Sequence, residues 1–190
     1  MLMNHSRHHR RSIRLKGYDY AQAGAYFVTM CTQNRTCLFG DVVDGQMRLN
    51  EYGQVVADSW LWLSARYPYV NQDEWVVMPN HLHGIMILTE PDGMGGSRTT
   101  PTKNRKPIGR LIGAFKTVST KRLNTMRNTP GVSVWQRNYY EHIVRDEESL
   151  IRIRRYILGN PACWEEDPEN PQAVALGALR EAPLRNPKAL

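Results

Sequence analysis

Cysteine is scarce in this chain, and the three present, Cys31, Cys37 and Cys163, form neither C-x-x-C pairs nor an even set. That argues against a disulfide framework and reads as free thiols in a reducing compartment. Long apolar runs are missing as well; none approaches the roughly 18 residues a membrane span needs. The basic N-terminus is not followed by the apolar core of a signal peptide, because Asp19 and polar residues intervene. A cytoplasmic protein without a membrane partner is expected. No internal repeat is found. Acidic residues vanish from two stretches. Met1 to Lys16 carries Arg7, Arg10, Arg11, Arg14 and Lys16 with no acid, and from Arg98 to Arg127 there are nine basic residues and no acid. A solvated helix face normally mixes both signs, so a long run of one sign points to phosphates.

Hydrophobic residues make up 41% of the 190 and charged residues 23%, as in an ordinary globular domain with tails. The balance of 25 Lys and Arg against 18 acids leaves a net charge of +7, which suits an anionic partner such as nucleic acid. Three parts are expected: a basic flexible arm over 1–16, a domain over 17–164 and a tail over 165–190. Within the domain, residues 90–106 combine Gly, Pro, Thr and basic residues without periodicity, the composition of a mobile loop. The tail holds a possible short helix over Ala173 to Glu181 and no evident task.

Gly24 to Thr32 is β-branched and aromatic and reads as a strand. Cys37 to Leu49 reads as a hairpin turning at Asp44-Gly45. Asn50 caps a helix whose stripe runs through Tyr52, Val55, Val56, Ser59 and Leu63, with Pro68 beyond its end. Trp75 to Leu88 gives two strands broken at Pro79-Asn80. Pro107 stands at the first position of a second helix with an apolar stripe through Ile108, Leu111, Ile112, Phe115, Val118 and Leu123. Its opposite face is basic and hydroxylic, and Arg110, Lys116 and Lys121 are candidate phosphate contacts. Val134 to Arg145 reads as a last strand broken near its middle. Asp146 then opens a third helix with acids in its first turn, where the helix dipole favours them.

Two features carry chemistry. His81 and His83 open the strand H-L-H-G-I-M-I-L, and residues two apart in a strand share a face, so both imidazoles can hold one metal ion. On the third helix, at about 100° per residue, Leu150, Ile151, Ile153, Ile157 and Leu158 gather as the buried stripe. Ser149, Arg152, Tyr156 and Asn160 fall together on another side, Tyr156 and Asn160 adjacent at i, i+4. A phenol is a nucleophile for phosphorus, an amide oxygen can complete a metal site, and an arginine can hold phosphate. Tyr139 and Tyr140 are rival nucleophiles, beside Arg137 and His142.

The blocks W-V-V-M-P-N-H-L-H-G-I, W-Q-R-N-Y-Y-E-H-I-V-R-D and R-Y-I-L-G-N-P, in that order, closely resemble the single-tyrosine HUH transposases, in their REP-associated tyrosine transposase branch. The resemblance runs from about Gly24 to Trp164. It implies a ferredoxin-like or RRM-like α+β sandwich: an antiparallel sheet with helices on one face and a C-terminal helix carrying the nucleophile. Residue by residue, it makes Tyr156 the nucleophile and His81, His83 and Asn160 the ligands of a divalent metal. Imidazoles with an amide oxygen and open water positions suit Mg²⁺ or Mn²⁺ better than a closed zinc site. Nearby cations and the metal are expected to favour the phenolate of Tyr156. The implied activity is single-strand DNA cleavage and strand transfer at hairpin-associated sites through a 5′-phosphotyrosine, by a monomer or homodimer. Arg110, Lys116, Lys121, Arg137, Arg152 and Arg155 would hold DNA. Glu148 and His142 are candidates to support the site from outside. Gly159, a weak helix former, departs from the pattern just where Asn160 must aim. Two other classes remain: a DNA-binding regulator that has lost cleavage, and an RNA-binding module on the same sandwich.

Overall fold

The computed structural model describes residues 15, 17–90 and 105–175. The basic arm, nearly all of the Gly- and Thr-rich loop, and most of the helix expected over Ala173 to Glu181 lie outside these residues. In chain order the elements are β1 (Gly24–Cys31), β2 (Gly40–Val43), β3 (Gln46–Leu49), α1 (Glu51–Arg66), β4 (Val70–Val77), β5 (His81–Leu88), α2 (Ile108–Arg127), β6 (Tyr140–Val144), α3 (Glu147–Gly159) and α4 (Pro171–Ala175). Four strands form one sheet in the order β4-β5-β1-β6, and β2 and β3 form a separate hairpin. Every pairing is antiparallel. With the small hairpin set aside, the order is β-α-β-β-α-β, and the strand arrangement is that of a ferredoxin-like sandwich.

Local chemistry sets the boundaries. Asp44 (φ 53°) and Gly45 (φ 69°) both take the left-handed backbone, as a two-residue hairpin turn of matching twist requires. Asn50 caps α1, its side-chain oxygen accepting from the backbone N–H of Tyr52 and Gly53. Pro107 sits one place earlier than its sequence position suggests: its extended backbone (ψ 156°) makes it the cap of α2, and the helix begins at Ile108. The last strand is indeed interrupted; Trp135 makes an isolated bridge to Thr32, and β6 proper begins at Tyr140.

The pleat divides the sheet into two faces. On one, Tyr26, Val28 and Met30 of β1 and Leu82, Met86 and Leu88 of β5 pack with Val56, Trp60 and Leu63 of α1 and with Ile108, Leu111 and Phe115 of α2. This is the main core. Gly84 belongs to it: a Cβ there would stand 2.7 Å from Trp60 Cζ2, so the bare backbone lets the indole lie on the strand. On the other face, Phe27 and Ile85 pack with Ile153 and Ile157 of α3. The buried stripe of α3 is narrower than its apolar arc suggests. Ile151 and Leu158 are exposed, at 39% and 65%. A single short helix laid on a sheet touches it along one line, here Leu150, Ile153, Tyr156 and Ile157.

Candidate functional site

His81 and His83 project from the α3 face of β5, because Leu82 between them belongs to the core on the opposite face. Their ring centroids lie 4.4 Å apart. His81 is fully buried and His83 nearly so. Each ring is oriented through its Nδ1. Asn80 donates its amide hydrogens to the carbonyls of Arg35 and Glu169, which turns its oxygen toward His81 Nδ1 at 2.8 Å. That oxygen can only accept, so Nδ1 carries the proton and Nε2 presents a lone pair. His83 Nδ1 lies 2.8 Å from Thr29 Oγ1, the residue paired with it across the β1–β5 ladder.

Helix α3 brings the second half. Tyr156 Oη stands 3.2 Å from His83 Nε2, and the phenol ring packs on His83 and Phe27. Asn160, at the C-terminal cap of α3, is buried and neighbours both His81 and Tyr156. It keeps a helical backbone (φ −59°, ψ −41°) despite the preceding Gly159, so the i, i+4 adjacency with Tyr156 survives. A 3-10 turn, Pro161–Glu166, then carries the chain back over the site. Asp167 follows and places its carboxylate 3.9 Å from His81 Nε2.

Electrostatics decide the protonation states. Burial pulls the His81 imidazole below its ordinary value, against the opposing pull of Asp167 and Glu169. Burial, then the neighbouring His81, pulls His83 lower still. Although His81 and Asp167 lie within ion-pair distance, the imidazole is neutral near pH 7, and the contact is not a salt bridge. Tyr156 moves the other way. Burial raises its pKa, and Asp167 and Glu169 raise it further. The cations expected to favour a phenolate are not what faces it; two carboxylates are. In the protein without metal, the phenol therefore holds its proton firmly.

Donor chemistry then tests whether a metal fits. Among the described residues, His81 Nε2 and Asn160 Oδ1 are two of the few buried side-chain atoms without a hydrogen-bond partner, and both lie in this site. Leaving buried polar atoms unpaired is costly. The available atoms of His81, His83 and Asp167 lie within 4.8 Å of one another. Two neutral imidazoles, a carboxylate and an amide oxygen form a set that could hold a divalent cation.

A cavity of about 200 Å³ opens on this cluster. Arg35, Tyr139, Tyr140 and Glu169 line it together with His83, Tyr156 and Asp167. Both rival tyrosines thus border the site, and Tyr139 donates to Glu141 at 2.6 Å. His142 lies on the same sheet face, paired in register with Phe27 and two places from the Thr29 position. Glu148 is 84% exposed and bonds Arg152 at 2.7 Å, away from the histidines. Of the candidate phosphate contacts, Arg110, Lys121, Arg137 and Arg155 are exposed. Lys116 points inward: its ammonium donates to the carbonyls of Gln136 and Asn138, and burial pushes its pKa down to about 8. Lys116, Lys121 and Arg137 border a groove of about 750 Å³ along α2, and Gln136 lines both this groove and the site cavity.

Three site residues escaped sequence reasoning. Asn80 stood in the quoted block only as part of a turn, although an amide directly before a strand histidine is a fair signal of an orienting partner. Thr29 is recognisable only once the strand register is known. Asp167 sits in the stretch left without a task, and no local pattern marks it.

The fold and the site together define an α+β protein in which a helix-borne tyrosine faces a strand-borne histidine pair. Comparison with known proteins narrows this. No family model matches the chain. An uncharacterized protein of Haemophilus influenzae is 42% identical over 168 residues, covering 84% of this chain and 92% of the relative. A second protein of that organism, described as a "putative REP-associated tyrosine transposase", is 26% identical over 143 residues, covering 75% of this chain and 73% of the relative. Among solved structures, a REP-associated tyrosine transposase bound to a REP hairpin superposes with a TM-score of 0.54 at 21% identity, over 78% of this chain and 72% of that one. The chain thus has the fold of a solved REP-associated tyrosine transposase and is similar in sequence to a protein described as a putative one.

Proposed function

We propose that this protein is a divalent-metal-dependent endonuclease and strand transferase for single-stranded DNA, with Tyr156 as nucleophile and hairpin-associated sites as substrate. The observation that carries the reading is the meeting of Tyr156 Oη with His83 Nε2 at 3.2 Å, beside the unpartnered His81 Nε2 and Asn160 Oδ1. Hairpin recognition is taken from the related transposase solved with a REP hairpin, and it suits the net charge of +7. The basic groove along α2 would hold the DNA backbone. No helix among the described residues is long and apolar enough to cross a membrane.

His81, His83, Asn160 and Asp167 would hold Mg²⁺ or Mn²⁺. When bound, such an ion supplies Lewis-acid charge to the scissile phosphate and offsets the two carboxylates that now keep Tyr156 protonated. Asn80 keeps His81 in the ligating tautomer, and Thr29 orients the His83 ring through Nδ1. Tyr156 Oη loses its proton and forms a bond to phosphorus. The bond from phosphorus to the 3′ oxygen breaks, and that oxygen leaves as a hydroxyl with a proton. The 5′ phosphate stays esterified to Tyr156. A 3′ hydroxyl from a second strand can then attack the phosphotyrosine, releasing the phenol and rejoining DNA without a nucleotide cofactor.

Tyr156→Phe should abolish the covalent protein–DNA band on a denaturing gel while leaving hairpin binding within about two-fold. A band that persists in this variant would transfer the role to Tyr139 or Tyr140. His81→Ala, or a chelator with the unaltered protein, should remove cleavage; cleavage at full rate in chelator would refute the metal requirement.

A further inference from the structure

The cleavage cavity holds one charge that the proposed reaction has not used. Among the described residues lining it, Arg35 is the only cationic side chain, since the buried His83 is neutral. It stands beside the carboxylates of Asp167 and Glu169. Its backbone adopts a conformation that is costly for a residue other than glycine: Asn34 and Arg35 both take the left-handed region, at φ 57° and 55°. Two contacts hold it there. The Arg35 N–H donates to the Thr32 carbonyl at 3.1 Å, and the Asn80 amide donates to the Arg35 carbonyl at 3.0 Å. Asn80 is also the partner of His81 Nδ1. One amide thus fixes both a histidine of the site and the turn that carries the arginine.

The guanidinium is anchored through one nitrogen. Nε donates to Glu169 Oε2 at 2.7 Å, and the same oxygen lies 3.5 Å from Sγ of Cys31, the residue paired with His81 across the β1–β5 ladder. Nη1 and Nη2 have no hydrogen-bond partner among the described residues, and the side chain is 37% exposed. A guanidinium steadied by a carboxylate through Nε keeps donors for a phosphate. A divalent ion at the histidines would offset the two carboxylates, which leaves Arg35 as the charge that meets the phosphate. We propose that Arg35 is a catalytic residue whose Nη groups bind a nonbridging oxygen of the scissile phosphate while Tyr156 attacks. This inference rests on the reading that Tyr156 cleaves DNA in this cavity. Negative charge grows on the nonbridging oxygens as the new bond forms, so a fixed guanidinium stabilises the transition state more than the ground state.

The test is a double-mutant cycle between Arg35 and the scissile linkage of a hairpin substrate, with the full chain and Mn²⁺ under single-turnover conditions. The linkage is either the natural phosphodiester or a methylphosphonate, in which a methyl group replaces one charged oxygen. On the phosphodiester, Arg35→Ala should slow formation of the Tyr156 ester about 100- to 1,000-fold, and Arg35→Lys should recover only part of the loss. On one of the two methylphosphonate diastereomers, the unaltered protein and Arg35→Ala should react within about three-fold of each other. Binding in chelator should show the same coupling by fluorescence anisotropy: the methylphosphonate weakens binding by the unaltered protein and leaves Arg35→Ala unchanged. Arg35→Gln, which keeps a donor for Glu169, carries the cycle if Arg35→Ala unfolds. An arginine that only holds Glu169 and the turn would slow every linkage equally. That result, or a full rate on the phosphodiester, would overturn the proposal. An ester that forms independently of Arg35 would leave the nuclease reading standing, whereas no ester with the unaltered protein would remove both.

Discussion

At the residue scale the site is governed by a few buried groups whose charge depends on one another. Asp167 is the clearest case. Its carboxylate faces His81 and helps keep Tyr156 protonated, yet beside a divalent cation the same charge would be attractive. Asp167→Asn should therefore act in two directions. In titration calorimetry with Mn²⁺, affinity should fall at least ten-fold. Without metal, the Tyr156 phenol should titrate at lower pH than in the unaltered protein, followed by its absorbance near 295 nm. An unchanged Mn²⁺ isotherm would take Asp167 out of the ligand set.

At the scale of elements, two contacts set the distance between the nucleophile and the histidines. One is the α3–β4 clasp: Arg154 reaches Asp73 through Nε and Nη2, the closest approach being 2.6 Å. The geometry is a bidentate fork rather than a point charge. Arg154→Lys should slow Tyr156 ester formation under single-turnover conditions more than it weakens DNA binding, because it loosens α3 without touching the phosphate grip. Equal changes in both would argue for a direct role in binding. The other contact is Gly84 beneath Trp60. Adding a methyl to a close-packed interior costs about 1–3 kcal/mol. Gly84→Ala should therefore lower the melting temperature by several degrees, at about 2–4 °C per kcal/mol for a chain of this size. It should also disturb the strand that carries both histidines. An unshifted melting curve would mean that the indole yields freely.

For the molecule as a whole, the buried histidines make stability depend on pH. Their folded pKa values lie below the ordinary 6.5, through burial first. The unfolded chain takes up these protons as the pH falls through about 6.5, and the folded chain resists. The unfolded state then binds more protons, so stability drops below that pH until the folded pKa values are reached. The slope can reach about 1.4 kcal/mol per pH unit for each histidine. Urea midpoints should fall steadily from pH 7.5 to pH 5, before most carboxylates titrate. A flat profile would mean that these imidazoles titrate in the folded protein much as they do in water. Metal bound at the site should protect the protein in the same range, because ligation holds both imidazoles neutral.

Much of this architecture is written in local pattern. Alternation along H-L-H-G-I-M-I-L sends both histidines to one face and Leu82 to the other. Asn50 and Asp146 mark helix starts through cap chemistry, and helical phase makes Tyr156 and Asn160 neighbours whatever else the chain does. These are properties of three- to eight-residue windows, so one sequence suffices to determine them. What the tertiary structure alone decided is which surfaces meet. Tyr156 and His83 are 73 positions apart, and no periodicity states that α3 lies on the histidine face of the sheet. The same holds for Asp167, brought in by a turn after the helix, and for Lys116, whose charge turns inward to two carbonyls. Such contacts follow from how whole elements pack, and packing minimises energy over the entire chain rather than within any stretch of it.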